Sequence, residues 1–581
     1  MKPSAAVRVA LVLGALAILS PTAPLPAQTF DPATTSPTAL LVAPPDAVAY
    51  YQLRTRAHAL WGQQQWAAAE PLLERLAHEY PRDGMNWVVL GDVKGNLRKY
   101  AEAAAAYERA GPLLGWGPPW NARIHVALYR QAAGDRAGAM AMLEQDVFGP
   151  GRTILRRRIH DFPQFATLRD DSAFRRITGR EDLTGMSRVD GWRRDIDVLY
   201  DEVARTNPDY RNAALPAEVT RQRDELKRRV PELRDEEVYA GMRRMLAPMH
   251  AGHTAIFGPP ASRSLPLRPY LFPDGVYVMQ ADSANAALVG ARIIAIGSLP
   301  VDSVLRRIGQ GRSVDGDMQH AWLISELAAS WTLVGVGAAA SNDTISLVVE
   351  SRDGRRRTAR VATGAAGLPG RLDRMVAPPS IAPPLYLSRM DENHWERALP
   401  AHDAMYVQMN NVSNDPDETL AAFGTRLWTV LSASRPGNLI IDLRHNNGGN
   451  TNLYRELLRT VIAYTREPGR QVYALIGRRT FSATANFITD LERLASPVFV
   501  GEASSECCNF YGDPSPLTLP NSRINAELTG VRWNLGGNPF DGRREMSPHV
   551  PVQLTAADYF AGRDPALEAV FTLIAAARKR P

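Results

Sequence analysis

Cysteine is nearly absent from the 581-residue sequence: Cys507 and Cys508 are the only two, and they are adjacent. Neighbouring residues cannot staple distant parts of a fold, so packed cores must hold the chain together. The pair reads as two loop thiols, with a vicinal disulfide or a metal contact as alternatives. Long apolar runs are also missing. After the first residues nothing approaches the roughly 18 consecutive apolar residues of a membrane span, so no stable span is expected in a mature chain. There is no block of one charge sign either. The formal charge is +6, but arginines alternate with acids, as in Arg221-Gln222-Arg223-Asp224-Glu225, and nucleic-acid binding is not indicated. Finally, lysine is scarce at the end of the chain, where Lys579 alone follows Ser482.

What is present is the composition of folded protein. Hydrophobic residues make up 45% and charged residues 22%, with 43 Gly and 43 Pro spread among them, which excludes disorder and fibre and implies many loops. The length has room for about three to four domains. A weakly basic start, an apolar stretch from Val9 to Leu19, the break at Ser20-Pro21 and small residues up to Ala27 have the parts of a secretory signal over residues 1–27. Export to the periplasm or beyond is the expectation. Residues 28–46, rich in Pro, Thr and Ala, read as a linker.

Residues 47–150 repeat. Leu53, Ala57, Leu60, Trp66, Ala69, Leu73 and Leu76 align with Trp87, Gly91, Lys94, Tyr100, Ala103, Tyr107 and Ala110, each at an offset of 34. That period, with small residues where helices touch, resembles tetratricopeptide helix pairs. A third copy follows with Ala127, Ala139 and Leu143, after the loop Gly115-Trp116-Gly117-Pro118-Pro119. The array is read as a docking surface for a protein partner or as a helical spacer. Residues 151–182 form a bridge, and 183–258 show helical spacing of apolar residues. Over 259–376 the texture becomes short β-prone runs, such as Gly275-Val276-Tyr277-Val278-Met279 and Thr344-Ile345-Ser346-Leu347-Val348-Val349, with a helix at 301–308. The order resembles a PDZ-like module. Residues 377–581 alternate strands and helices, which argues for a largely parallel α/β sheet with its site at the strand ends. The fold class expected is therefore multidomain α plus α/β: a helical repeat array, a PDZ-like β-rich module and a C-terminal α/β core.

Two turns in that core carry chemistry. Asn438-Leu439-Ile440-Ile441-Asp442-Leu443 is a buried strand that runs into Arg444-His445-Asn446-Asn447-Gly448-Gly449, where bare backbone N–H groups can face a ligand. Val472-Tyr473-Ala474-Leu475-Ile476 is a second strand, and Gly477-Arg478-Arg479-Thr480-Phe481-Ser482 leads straight into a helix. A serine there is either an N-cap, contributing about 1 kcal/mol, or a nucleophile that exploits the positive end of the helix. Position alone leaves both open.

Asp442-Leu443-Arg444-His445-Asn446-Asn447-Gly448-Gly449, Thr480-Phe481-Ser482-Ala483 and Gly501-Glu502-Ala503 resemble the C-terminal processing (tail-specific) serine peptidases, more closely the tricorn-like branch that includes interphotoreceptor-retinoid-binding protein. The match continues through Asp541-Gly542-Arg543-Arg544-Glu545-Met546-Ser547-Pro548 and Gly562-Arg563-Asp564-Pro565, and covers roughly residues 190–575. The resemblance implies a serine-type peptidase acting on a peptide or protein substrate without a metal or organic cofactor. It makes Ser482 the nucleophile and the N–H groups of Gly448 and Ala483 the oxyanion hole. Because Lys579 lies in the terminal Arg578-Lys579-Arg580-Pro581, a Ser/Lys dyad is excluded. A histidine base remains, and the short Gly252-His253-Thr254 before a strand resembles the tricorn-like position, with His250 and His445 as rivals. The orienting acid implied is Glu545, with Asp541 and Glu502 as alternatives. Two departures stand out: Ala251 where the family often has an acid before Gly-His, and Pro548-His549-Val550 where it has Pro-Asp-Ile. A turnover-deficient shell that binds peptides or apolar ligands through its repeats and β-rich module is the competing reading.

Overall fold

The computed structural model describes residues 47–114, 122–144, 159–210, 213–260, 262–364, 368, 375–378, 381–534 and 536–579. The signal segment 1–27, the linker 28–46 and the loop Gly115–Pro119 lie outside the described residues. The chain divides after Asp182 into two compact units.

The first unit is helical. Helices α1 (Ala47–Gly62), α2 (Trp66–Glu79), α3 (Gly84–Asn96), α4 (Tyr100–Leu114), α5 (Ala122–Ala132) and α6 (Arg136–Glu144) follow one another as three hairpins. Small residues sit where helices touch: a Cβ on Gly91 would come within 2.6 Å of the Tyr107 ring, and Ala57, Ala69, Ala103, Ala127 and Ala139 are buried. Asp83 caps α3 by accepting Met85 N–H at 3.0 Å. The Lys94 ammonium, on α3, is drawn under a ring of acids, with Glu70 at 3.2 Å and Glu74 at 2.7 Å from α2 and Glu102 from α4. One cation thus ties three helices together. A 3₁₀ turn (Pro163–Leu168) and α7 (Ser172–Ile177) close the unit, placing Phe165 and Phe174 in the same core as α5.

The second unit begins with α8 (Arg188–Thr206), α9 (Ala217–Arg229) and α10 (Asp235–Leu246), then β1 (Ala255–Ile256). There follow β2 (Leu267–Phe272), β3 (Gly275–Ala281), β4 (Arg292–Ile296), β5 (Leu299–Pro300), α11 (Val301–Gly309), α12 (Ser330–Gly335), β6 (Thr344–Glu350) and β7 (Arg356–Ala362). These strands form an antiparallel sheet in the order β2-β3-β4-β6-β7, with β5 paired to β4. Strand β6 alternates buried and half-buried positions, as expected of a sheet with one face on a core.

The α/β part runs β8 (His394–Leu399), β9 (Ala404–Met409), α13 (Leu420–Ser434), β10 (Asn438–Asp442), α14 (Arg455–Thr465), β11 (Gln471–Ile476), α15 (Ala483–Ala495) and β12 (Val498–Gly501). After β13 (Asn509–Gly512), β14 (Ser515–Thr518), β15 (Asn525–Leu528) and β16 (Val531–Asn534) come β17 (Val550–Pro551), α16 (Ala556–Phe560) and α17 (Pro565–Arg578). The main sheet has the order β17-β12-β11-β10-β9-β8. Its neighbours are parallel except for the edge strand β8, which is antiparallel to β9. Strands β9 and β10 are buried at every position, the signature of a parallel sheet covered on both faces.

Two long-range ties position the site. Strand β1 pairs with β15, Ala255 opposite Glu527 and Ile256 opposite Ala526, so the turn before β1 is delivered to the end of the chain's α/β part. Arg444, just past β10, pairs with Asp442 at 2.6 Å and with Asp564 at 2.7 Å. Asp564 in turn caps α17 by accepting Leu567 N–H. The downstream Gly-Arg-Asp-Pro stretch is therefore an anchor for the last helix against the sheet.

Candidate active site

The strand ends of the main sheet are stitched to one another before any chemistry is considered. Thr480 Oγ1 donates to Leu443 O and accepts from Gly477 N–H, each at 3.0 Å, and Ser505 N–H donates to Thr480 O at 3.0 Å. The loops after β10, β11 and β12 thus form one layer. Ser482 stands in it at the mouth of α15, a helix whose first nine residues are all buried and which therefore has little freedom to move.

Ser482 occupies the N-cap position but does not cap. Its backbone has φ 57° and ψ −125°, and its side chain makes no capping hydrogen bond. A non-glycine residue at positive φ costs on the order of 1–3 kcal/mol and persists only where its surroundings impose it. Here the strained turn aims Oγ away from the helix and toward His253, whose Nε2 lies 3.0 Å away across 229 positions of sequence.

His253 is held on every side. Thr254 Oγ1 accepts Thr529 N–H at 3.2 Å, and Ser313 Oγ and Asp315 Oδ2 accept the N–H groups of Ala251 and Gly252 at 2.7 and 2.6 Å. The imidazole stacks on Phe481 at 4.3 Å and on Phe510 at 6.0 Å. Burial lowers its pKa from the usual value, against the opposing pull of Asp315, Asp513, a backbone contact with Tyr511 and Glu527. The neutral form, able to accept a proton, is therefore favoured.

The carboxylate that faces His253 is Glu506, not Glu545. Glu506 is fully buried; its Oε1 lies 3.4 Å from His253 Nδ1 and its Oε2 accepts Ser482 N–H at 2.9 Å. One side chain thus addresses both halves of the pair; Oε1 and Nδ1 form no hydrogen bond with each other, so the contact at Nδ1 is electrostatic. Glu545 lies half-buried in the turn before Met546, and the carboxylate paired with His253 comes from the loop after β12 instead. The alternative acids are engaged by arginines: Asp541 with Arg543 at 2.9 Å and Glu502 with Arg478. The other histidines point elsewhere in role. His250 is exposed at a left-handed turn, φ 49°, and His445 stacks on Tyr386.

Sequence reasoning passed over Glu506 because Ser505-Glu506-Cys507-Cys508 matches no motif quoted for the family. The signal available was an acid beside two cysteines between short strands, which has no chemical meaning until the loop is folded. Cys507 and Cys508 are joined to each other and buried in the main core, so the reading as free loop thiols gives way to the vicinal disulfide.

Gly448 and Ala483 both reach the nucleophile. A Cβ on Gly448, at φ 109°, would lie 2.6 Å from Ser482 Cβ and 3.1 Å from Ala483 N. The Ala483 N–H belongs to the first turn of α15, where helix donors lack intrahelical partners. The Gly448 N–H donates to Asn446 Oδ1 at 3.0 Å, a bond that an arriving oxyanion must share or displace.

His253, Asp315 and Glu506 each bring a ligand atom to within 4.8 Å of the other two. Such a set has the donors for a divalent cation, but the His253–Ser482 contact gives the imidazole a different employment. A small cleft opens beside the site, lined by Tyr270, Tyr386, Arg444, Arg478, Arg479 and Glu502 among others, with neither Ser482 nor His253 in its wall.

The sequence matches no family profile and no curated protein. Solved structures match in fold. Mature CPAF complexed with lactacystin is 13% identical, over 67% of this chain and 98% of that one, with a TM-score of 0.50. A point mutant of CPAF is 13% identical over 68% and 98%, again at 0.50. A putative S41 protease from Bacteroides fragilis, 14% identical over 65% and 97%, has a TM-score of 0.31. The two CPAF structures carry the likeness, and it is one of fold.

Proposed function

We propose that this chain is an exported serine-type peptidase that hydrolyses peptide bonds through an acyl-enzyme. The observation that carries the reading is the 3.0 Å approach of His253 Nε2 to Ser482 Oγ, with Ser482 held at positive φ and freed from capping. A serine serving only as a cap has no need of either feature.

In this reading Ser482 Oγ attacks the scissile carbonyl carbon as its proton passes to His253 Nε2. Glu506 steadies the imidazolium through Nδ1, and the N–H groups of Ala483 and Gly448 hold the oxyanion. Collapse breaks the C–N bond, with His253 returning the proton to the departing amine. Water then attacks the ester, gives a proton to His253, and Ser482 leaves with it. No metal is assigned a step. The helical hairpins of the first unit are read as tetratricopeptide-like pairs that dock a protein partner, and the β2–β7 sheet as a PDZ-like module holding the polypeptide substrate. Export rests on the parts of the signal in residues 1–27.

A fluorophosphonate probe tests the core of this proposal. Labelling at Ser482, located by peptide mass spectrometry, should disappear in Ser482→Ala and fall by orders of magnitude in His253→Ala. Labelling that is undiminished in His253→Ala would sink the base assignment. A wild-type chain that takes no label would favour the binding-protein reading.

A further inference from the structure

Glu506 does not stand alone under His253. Asp315, in the segment between α11 and α12 and so within the β-rich part of the second unit, is also buried, and it brings a carboxylate oxygen to within 4.8 Å of one on Glu506. Two buried carboxyl groups so close do not both ionise, so the pair holds a proton. At the same time Asp315 Oδ2 accepts Gly252 N–H at 2.6 Å, and its neighbour Ser313 accepts Ala251 N–H at 2.7 Å. The 313–315 segment therefore grips the backbone immediately before His253 while lying beside the acid behind the imidazole.

We propose that Asp315 is a positioning residue for the base: it anchors the His253 turn through Gly252 and forms with Glu506 a buried carboxyl pair that shares one proton, so that the imidazole faces a single negative charge. The inference rests on the peptidase reading of Ser482 and His253. Each carboxyl accepts one backbone N–H, Glu506 from Ser482 and Asp315 from Gly252, so neither is singled out as the charged member. Burial pushes the proton affinity of both groups up, and the pair keeps one proton between them. The other charged groups that face the imidazole are Asp513 and Glu527, both electrostatically coupled to His253.

The arrangement has a functional consequence. The acid that orients His253 is supplied by the α/β part, but its charge state and the register of the His253 turn are set by a residue from the β-rich part.

The test uses the full chain as wild type, Asp315→Asn and Asp315→Ala, with two readouts: the rate of fluorophosphonate labelling against pH, and the titration of the His253 imidazole by NMR. Asparagine still accepts Gly252 N–H, so Asp315→Asn should label near the wild-type rate at neutral pH. Alanine removes the anchor, and labelling should fall on the order of 10²-fold, the cost of a misplaced catalytic group. The imidazole of the wild type should show a second inflection at alkaline pH as the shared proton leaves, and Asp315→Asn should lack it. Equal labelling of Asp315→Ala and wild type, or an alkaline inflection retained in Asp315→Asn, overturns the proposal. Should Asp315→Ala fail to fold, the Asp315→Asn titration decides alone. A wild type that takes no label refutes the peptidase reading, while the NMR arm still reports whether the Asp315–Glu506 pair holds a proton.

Discussion

Replacing Glu506 by glutamine probes the electrostatics of the site with little change of shape. In the wild type its carboxylate lies 3.4 Å from His253 Nδ1. At that separation and an effective dielectric constant of about 20, a unit negative charge favours the imidazolium by about 5 kcal/mol over a neutral group in its place, on the order of 10³ to 10⁴ in rate; burial of the ring opposes this in wild type and variant alike and leaves its pKa lowered. The single substitution should not express all of this. With Glu506 neutral, Asp315 no longer shares its proton and can ionise in its place. Its ligand atom is within 4.8 Å of His253, where a charge still contributes at least about 3.5 kcal/mol. The difference, about 1.5 kcal/mol, is roughly tenfold.

Glu506→Gln alone should therefore slow fluorophosphonate labelling at neutral pH by about tenfold, and the double variant Asp315→Asn/Glu506→Gln by on the order of 10³-fold or more. Glu545→Gln, measured in parallel, should leave the rate unchanged. The reasoning is refuted if the double variant labels within tenfold of wild type, or if Glu506→Gln already falls 10³-fold and the second substitution adds nothing. A large fall in Glu545→Gln with none in Glu506→Gln would restore Glu545 as the orienting acid.

Four further outcomes are expected. Burial lowers the pKa of His253, and the base must be neutral to act, so the acid limb of the labelling profile should have its midpoint below pH 6.5; a midpoint above that value contradicts the burial argument. Gly448→Ala puts a methyl group 2.6 Å from Ser482 Cβ on a backbone at φ 109°, and labelling should drop by at least about 10²-fold in a chain that still melts cooperatively. Lys94→Met removes the cation among Glu70, Glu74 and Glu102, and should destabilise the first unit by about 2 to 4 kcal/mol in urea unfolding, less than a fully buried pair because two of the acids are half exposed. Because Cys507 and Cys508 are joined, a thiol reagent should find none in the denatured, unreduced chain and two after reduction.

The α/β part was legible because its strands are buried on both faces. Strands β10 and β11 read as apolar runs: β10 folds over 438–442, one residue short of the run, and β11 over 471–476, one residue longer than the run 472–476. The antiparallel edge strand β8 was not, since Trp395-Glu396-Arg397 carries too little alternation to announce a strand. Asp442, Arg444 and Asp564 were legible only as parts of a resemblance. Folding brings them into one ion-paired cluster joining the end of β10 to the last helix, a relation 120 positions long that no local pattern records.

The site divides along the same line. Ser482 was visible because its surroundings are local: a strand, a tight turn and a helix, all within a few residues. Its two candidate roles differ in where Oγ points, and that depends on one backbone conformation and on a histidine from another part of the chain. The orienting acid was invisible for a stronger reason. Glu545 was placed by analogy with a pattern already broken at His549, whereas the acid that reaches His253 is selected by burial, and burial is a property of the assembled fold. Glu506 carries no exposed surface and accepts Ser482 N–H while facing the imidazole. A carboxylate so enclosed is tolerable only where a neighbouring proton, an N–H donor and an imidazole compensate it, and Asp315, Ser482 and His253 are those three.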